Sequence, residues 1–134
     1  MPHLTIFSGG QTGADRAALD WAIAHRVEHG GWCPAGRLAE DGSIPEHYHL
    51  QETDSSAYPE RTRLNVEDSD ATLIVSPDAP GGGTLFTVQH ARSVGKPVLV
   101  VTSENEGESP SLLRSFINRP EVKVLNVAGP RASG

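Results

Sequence analysis

Two glycine-rich turns contain the residues of this chain that are best suited to bind an anion. Each turn follows an apolar run and opens a segment with helical spacing. Glycines let backbone amides approach a ligand without a side chain in the way, and a helix N-terminus carries partial positive charge. The first turn contributes Gly9, Gly10, Gln11, Thr12 and Gly13, and the second contributes Gly81, Gly82, Gly83 and Thr84. We predict that both turns bind a phosphate group.

The first turn matches no standard nucleotide-binding fingerprint. Its glycines do not have the G-x-G-x-x-G spacing, and no Lys-Ser/Thr pair follows as in a Walker loop. Tight packing of a helix against a strand is the alternative explanation for such glycines. The presence of two similar turns favours ligand binding over that alternative.

Charged side chains near the turns are the next candidates. Arg16 lies in the first turn of a predicted helix, where a positive charge is unfavourable, so we predict that it contacts an anion. Arg61 lies on a predicted helix from which a guanidinium can reach a phosphate, although exposed arginines are common on helices. Asp15 fits a role in complementing the helix dipole as well as it fits a ligand contact.

Metal binding and covalent catalysis have weaker support in the sequence. Cys33 ends a short apolar run, where a free cysteine is usually an inert core residue. His47 and His49 have no third ligand at a convincing spacing, which favours surface histidines over a zinc site. Asp68 and Asp70 are more typical of a helix end than of a magnesium site. We therefore predict no metal site and assign no catalytic residue.

Strands alternate with helices along the chain, which predicts a doubly wound, mainly parallel α/β sheet of five strands with helices on both faces. The whole chain, residues 1–134, is expected to form one domain. The predicted strands are residues 3–8, 32–34, 70–76, 96–102 and 122–127, and the predicted helices are residues 12–29, 60–68, 84–95 and 109–118. Residues 35–59 are expected to form a long loop.

The two glycine turns are expected to meet in one crevice. In a doubly wound sheet of this kind, the first and third predicted strands would be neighbours at the point where the strand order reverses. Their carboxyl ends would then bring both turns to the same ligand.

Composition limits the partners and the compartment of the protein. The net charge of −6 from 11 basic and 17 acidic residues disfavours binding to nucleic acid. The single cysteine excludes an internal disulfide and fits a reducing compartment. We find no signal-like or membrane-spanning run, so we expect a cytoplasmic protein that does not associate with membranes.

Five ordered blocks of the sequence resemble the putative molybdenum carrier protein family. They are "SGGQTGADRAALDWA", "GGWCPAGRLAEDG", "RTRLNVEDSDATLIV", "GGGTLFT" and "LNVAGPR". This resemblance implies a Rossmann-like fold and a homo-oligomeric carrier that binds the molybdenum cofactor, a phosphorylated pterin with a dithiolene-bound metal. It also implies that both glycine turns contact the ligand, and it adds as further candidates Arg16, Arg37, Glu40 and Asp41.

Two departures from the family pattern bear on the site. Ala35 stands where relatives often have a basic residue, which implies weaker phosphate binding at that point. Relatives continue beyond "AGPRASG", so the last segment of the family's fold is expected to be missing.

The family resembles, more distantly, the Lonely Guy phosphoribohydrolases and the lysine decarboxylase-like proteins. In the phosphoribohydrolases a glutamate near the second turn assists cleavage of the glycosidic bond, and Thr87 stands at the corresponding place. Asp15, Asp78 or Glu52 would have to replace that carboxylate. We therefore favour a binding or carrier protein for a phosphorylated pterin or nucleotide. The alternatives are a phosphoribohydrolase-like enzyme and a nucleotide sensor without turnover.

Overall fold

The computed structural model describes residues 4–133, which form one five-stranded parallel sheet with two small additional sheets and four α-helices. The strands are β1 Thr5–Phe7, β2 Glu28–Gly30, β3 Trp32–Cys33, β4 Leu38–Ala39, β5 Gly42–Ser43, β6 Gln51–Glu52, β7 Ala71–Val75, β8 Val98–Val101 and β9 Val124–Ala128. The helices are α1 Ala14–Ala24, α2 Tyr58–Glu67, α3 Gly82–Ser93 and α4 Ser109–Ile117, with a 3-10 turn at Glu106–Glu108.

The strand order confirms the predicted Rossmann-like fold. The main sheet has the order β2-β1-β9-β7-β8, and every neighbouring pair is parallel. If β9 is counted as the first strand, the order becomes 3-2-1-4-5, which is the order of a classical Rossmann sheet. The order then reverses between β9 and β7, and a ligand crevice is expected at their carboxyl ends.

Helices cover both faces of the sheet because side chains of the central strands alternate in direction. Leu73 of β7 belongs to an apolar cluster with Ala22 of α1 and Phe116 of α4. Ile74 is the next residue of β7, is fully buried, and therefore points to the opposite face, where α3 packs on β7 and α2 packs on α3. Burial on both faces explains the nearly continuous apolar sequence of β7.

The prediction for the second strand of the main sheet was wrong. Trp32–Cys33 pairs with Gln51–Glu52 in a separate small sheet, and the main sheet instead takes Glu28–Gly30 as its edge strand. Residues 35–59 are not a plain loop, because they contain the β4–β5 hairpin as well as β6.

The first helix is shorter than predicted. It ends at Ala24, and Arg26 has a left-handed φ of 57°, which turns the chain so that β2 can pair with β1. Leu19 is fully buried, whereas Trp21 and Ile23 are 45% and 41% exposed. The first predicted strand begins at His3, which lies outside the described residues; β1 begins at Thr5.

The expected pairing of the first and third predicted strands was also wrong, because β9 lies between β1 and β7 and pairs with both. Asp70 holds β9 in register at its start, where one carboxylate oxygen accepts the backbone N–H groups of Lys123 and Val124 at 2.9 and 2.8 Å. The two glycine turns are thus two strands apart instead of one.

No helix within the described range combines the length and the apolar sequence that crossing a bilayer requires.

Lys96 fixes α2 relative to α3 at the end of the domain opposite the glycine turns. Its Nζ donates to the backbone oxygens of Val66 and Ser69 at 3.5 and 2.6 Å, and also to that of Glu67. These carbonyls lie at or just beyond the C-terminus of α2, where a positive charge is favourable. One ammonium therefore stabilises the relative position of two helices whose N-termini lead towards the glycine turns.

Replacing Lys96 with Met should reduce the free energy of unfolding by about 1–2 kcal/mol, because three carbonyls lose a charged donor. Urea denaturation measures the effect. Lys123→Met is the matched control, since the Lys123 side chain is exposed, and it should change stability by less than about 0.5 kcal/mol. Equal stabilities of the two variants would contradict the role given to Lys96.

Candidate functional site

A cleft of about 470 Å³ lies at the carboxyl ends of the central strands. This volume falls within the range of small-molecule sites, about 300–1000 Å³. The cleft receives residues from both glycine turns, from α2 and from the end of β9. Its lining residues are Gly9, Gln11, Asp15, Tyr58, Pro59, Arg61, Thr62, Asn65, Gly81, Gly82, Gly83, Thr84, Phe86, Thr87, Asn126, Ala128, Gly129, Pro130 and Arg131. Both turns therefore border one cleft.

The glycines of the first turn lie against other parts of the protein. A Cβ at Gly9 would be 1.6 Å from Nη1 of Arg61, and a Cβ at Gly10 would be 2.6 Å from the Leu50 side chain. A Cβ at Gly13 would be 2.6 Å from the backbone oxygen of Pro130. Packing against backbone explains Gly13, and packing against side chains explains Gly9 and Gly10. Close packing within the chain is the alternative explanation considered for this turn.

The glycines of the second turn have open space around them. A Cβ at Gly81, Gly82 or Gly83 would meet no atom within 4 Å. Gly81 is the N-cap of α3 and provides no side-chain cap, and the first turn of α3 has no acidic residue. The N–H groups of the first turn have no acceptor within their own helix and carry the positive end of the helix dipole. This turn is open to an anionic ligand.

Asp15 and Arg61 form a buried ion pair between the two turns. Arg61 Nη1 lies 3.0 Å from Asp15 Oδ2, with the side chains 15% and 3% exposed. Asp15 Oδ2 also accepts the backbone N–H of Gln11 at 3.2 Å. Burial raises the pKa of Asp15, and the charge and hydrogen bond of Arg61 oppose that rise. Arg61 thus compensates a carboxylate that would otherwise be costly to bury.

The guanidinium of Arg61 keeps one edge without a protein partner. Nη1 bonds Asp15, whereas Nε is buried and lacks a hydrogen-bond partner, and Nη2 has none among the described residues either. Nε and Nη2 form one of the two-donor edges with which arginine binds carboxylate or phosphate. Tyr58 lies beside the guanidinium, whose central carbon is 5.5 Å from the ring centroid. Arg61 is therefore oriented by Asp15 and leaves one buried donor without an acceptor.

Seven of the predicted site residues do not line the cleft. Arg16 forms a bidentate pair with Asp41, with N–O distances of 2.5 and 2.8 Å, and Asp41 raises the pKa of Arg16. Arg37 donates to the backbone oxygens of residues 44, 45 and 48. Glu40 accepts the Thr12 hydroxyl. Gly10 packs in a second apolar cluster beside Ile44, which is buried. Thr12, Arg16, Arg37, Glu40 and Asp41 form contacts around the β4–β5 hairpin and the first turn.

Gly13 also lies outside the cleft lining, because the segment after β9 covers it. The predicted residues that the structure brings together at the cleft are Gly9, Gln11, Asp15, Arg61, Gly81, Gly82, Gly83 and Thr84.

Sequence reasoning found Arg61 of α2 but missed Asn65 of the same helix and the contribution of β9 to the cleft. Asn126 is buried in β9 and its Nδ2 lies 3.3 Å from Thr72 Oγ1, while Arg131 follows the same strand. Asn65 of α2 is held by hydrogen bonds to the backbone N and O of Trp32, at 2.7 and 2.9 Å. The Gly-Pro turn after the last apolar run was a detectable signal, but its importance depends on the central position of β9.

The candidate replacements for a catalytic carboxylate are spread over the molecule. Asp15 lines the cleft, whereas Asp78 lines a separate hollow and Glu52 accepts the N–H of Gly36 at 2.7 Å. Thr87 donates its hydroxyl to the backbone oxygen of Gly83 at 3.0 Å. Within residues 4–133, Asp15 is the one carboxylate that lines the cleft, and it is the residue that holds Arg61.

Cys33 and the histidine pair, considered above for covalent catalysis and zinc binding, have the surroundings of structural residues. Cys33 is buried, and burial raises the pKa of its thiol, as expected for an inert core residue. His49 stacks on His29 with ring centroids 5.3 Å apart. Among residues 4–133, no group of three or more His, Cys, Asp or Glu side chains is arranged to hold a metal ion.

Known proteins resemble this chain over nearly its whole length. Residues 6–134 match the model of the Circularly permutated YpsA SLOG family. The crystal structure of a putative molybdenum carrier protein from Syntrophus aciditrophicus SB is similar, with 47% identity, coverage of 98% of this chain and 85% of that chain, and a TM-score of 0.95. No curated protein matches the chain. The resemblance predicted from five sequence blocks is confirmed.

Replacing Gly9 with Ala should displace Arg61 from Asp15, because the new methyl group would overlap Nη1. Breaking a buried ion pair leaves a carboxylate uncompensated, so the free energy of unfolding should fall by about 3 kcal/mol. Chemical denaturation followed by circular dichroism measures this loss.

Gly83→Ala is the matched control for Gly9→Ala, because its Cβ meets open space at the start of α3. It should raise stability slightly, by up to about 1 kcal/mol, since alanine is the better helix former. If Gly9→Ala were as stable as the original protein and as Gly83→Ala, the packing of Arg61 against Gly9 would not contribute to stability, and the prediction would be wrong.

Proposed function

This chain belongs to the Circularly permutated YpsA SLOG family, and we propose that it binds the phosphate group of a small organic ligand at the N-terminus of α3. The relative from Syntrophus aciditrophicus SB is described as a molybdenum carrier, which supports a carrier role for the family. We propose that this chain carries a phosphorylated pterin, with the molybdenum cofactor as the first candidate and a nucleotide as the second.

One observation supports the phosphate site above all others. The open turn Gly81–Gly82–Gly83 lines the same cleft as Arg61, whose buried Nε has no hydrogen-bond partner. Backbone N–H groups at a helix N-terminus and a guanidinium edge are the two donor types that proteins use most directly for phosphate. The buried Nε of Arg61 costs about 1–3 kcal/mol while it has no acceptor. A bound phosphate towards which the guanidinium turns would provide that acceptor.

The remainder of the cleft fits a flat, polar ring system. Tyr58 and Phe86 provide aromatic residues to the lining, and Gln11 and Asn126 provide residues with amide groups. The dithiolene of a molybdenum cofactor holds its own metal, so a carrier needs to contact the phosphate and the pterin only. The lack of a metal-binding group among residues 4–133 is compatible with that requirement.

We propose binding without turnover because the cleft carboxylate is already engaged. Asp15 accepts hydrogen bonds from Arg61 and from the Gln11 backbone, and no second carboxylate lines the cleft within the described range. Glycosidic cleavage needs a carboxylate that is free to act near the reacting bond. A phosphoribohydrolase-like enzyme and a nucleotide sensor are the alternatives that the ligand experiments must distinguish.

Incubation with adenosine monophosphate tests turnover. The expected result is no adenine above the buffer background, measured by liquid chromatography after prolonged incubation. Adenine release that Asp15→Asn abolishes would favour the phosphoribohydrolase alternative and contradict the carrier proposal.

Replacing Gly83 with Asp tests the phosphate site itself. A carboxylate in the first turn of α3 complements the helix dipole and should leave the fold stable, but it should repel an incoming phosphate. Titration of the ¹⁵N-labelled protein with inorganic phosphate, against potassium chloride at matched ionic strength, should shift the amide resonances of Gly82, residue 83 and Thr84. We expect at least about tenfold weaker phosphate binding in the variant, which corresponds to about 1.4 kcal/mol.

Gly107→Asp is the matched control, because it adds the same charge at an exposed glycine outside the cleft lining. It should bind phosphate like the original protein. If phosphate shifted no resonance at the start of α3, or if the two aspartate variants bound phosphate equally, the proposed site would be wrong.

A further inference from the structure

The segment after β9, residues 129–133, is fixed by groups whose role the phosphate site does not explain. Thr12, Gly13 and Glu40 were all expected to contact the ligand, yet none of them lines the cleft. Instead, Thr12 Oγ1 accepts the backbone N–H of Ala132 at 3.1 Å. Glu40 accepts the backbone N–H of Ser133 at 3.3 Å and also the Ser133 hydroxyl.

Two glycines permit the close approach of this segment. A Cβ at Gly13 would lie 2.6 Å from the Pro130 oxygen, and Gly13 also has a left-handed φ of 82°. A Cβ at Gly129 would lie 2.2 Å from the Val75 oxygen, at the end of β7. The segment therefore crosses from β7 to the first glycine turn with no room for larger side chains at either contact.

The groups that hold the segment are themselves fixed. The backbone N–H of Glu40 donates to Gln11 Oε1 at 2.8 Å. Arg16 donates from Nε to the Gly10 oxygen at 3.0 Å while its Nη atoms bond Asp41, the residue after Glu40. The first turn and the tip of the β4–β5 hairpin thus form one connected support for residues 129–133.

Arg131 is the residue that this support brings to the cleft. Three charged residues line the cleft in the described chain, namely Asp15, Arg61 and Arg131. Asp15 and Arg61 neutralise each other, so Arg131 gives the cleft lining its net positive charge. Within residues 4–133 no carboxylate lies within salt-bridge distance of Arg131. The pKa of Glu40 is lowered mainly by its hydrogen bonds to Ser133 and Thr12, and the charge of Arg131 makes a smaller contribution.

The position of Arg131 is appropriate for a ligand that spans the crevice. It follows β9, which lies between the two strands that lead into the glycine turns. The protein as a whole has a net charge of −6, so a dianion that approaches the cleft is repelled unless a local cation offsets that charge. The neutral Asp15–Arg61 pair cannot do so alone.

We infer that Arg131 is a second cationic contact for the ligand phosphate, and that Thr12 acts as a positioning residue by fixing the segment that carries it. This inference rests on the proposed phosphate site at α3. It explains how that site would select by charge: the cleft binds a dianionic phosphate monoester in preference to the unphosphorylated compound. Thr12 acts through Arg131 and does not touch the ligand.

Arg131→Gln tests the inference, with inorganic phosphate as the probe and the amide resonances of Gly83 and Thr84 as the readout. Phosphate should bind about fivefold to tenfold more weakly, and its affinity should depend less steeply on potassium chloride concentration. Arg92→Gln is the matched control, because it removes the same charge from an exposed position in the last turn of α3. It should bind phosphate like the original protein.

A double-mutant cycle separates positioning from direct contact. Thr12→Val alone should weaken phosphate binding severalfold, but it should have no further effect in the Arg131→Gln protein, because both changes act on one contact. Additive effects of the two substitutions would overturn the positioning role of Thr12.

The outcomes also separate this inference from the proposed function. Suppose that the original protein binds phosphate at α3 and that Gly83→Asp weakens this binding but Arg131→Gln does not. The phosphate site then stands, and the role of Arg131 is overturned. If phosphate perturbs no resonance at the start of α3 in the original protein, the proposed function itself fails.

Discussion

The buried pair of Asp15 and Arg61 is the interaction on which the cleft depends. It joins the start of α1 to α2 across Gly9, whose missing Cβ leaves the space that the guanidinium occupies. The positive charge of Arg61 offsets the cost of burying the Asp15 carboxylate, and the hydrogen bond from Nη1 to Asp15 fixes the orientation of the guanidinium. The pair is electrically neutral, so it organises the cleft without supplying net charge. In the proposed site, the open N-terminus of α3 and Arg131 would supply the attraction for an anion, and the first glycine turn holds the segment that carries Arg131.

The position of β9 explains how residues from distant parts of the sequence meet. Counted as the first strand, β9 completes the 3-2-1-4-5 order of a Rossmann sheet, in agreement with a circularly permutated family. Ligand crevices form where such a strand order reverses, which in this chain lies between β9 and β7. Gly129, Pro130 and Arg131 therefore line the same cleft as the start of α3, although they follow the last strand.

Much of the fold could be predicted from the sequence, because apolar strands and glycine-terminated helices are local patterns. The apolar run of β7 and the Gly81–Gly83 opening of α3 are of this kind. The insertion of β9 between β1 and β7 is a long-range pairing with no local signal. The edge strand Glu28–Gly30 was missed because its three residues have no alternating apolar pattern and follow directly on a helix. The first glycine turn was recognised as special, but the atoms that fill the space above Gly9, Gly10 and Gly13 come from residues far away in sequence, so packing and ligand binding could not be separated.

A crystal structure of the protein with adenosine monophosphate or a phosphorylated pterin would test the central claim most directly. The account predicts that the phosphorus atom lies at the N-terminus of α3, within hydrogen-bonding reach of the Gly83 and Thr84 amides and between Arg61 and Arg131, with Arg61 still bonded to Asp15. A phosphate bound against the backbone of Gly9–Gly13, with Arg61 and residues 129–133 displaced, would contradict it.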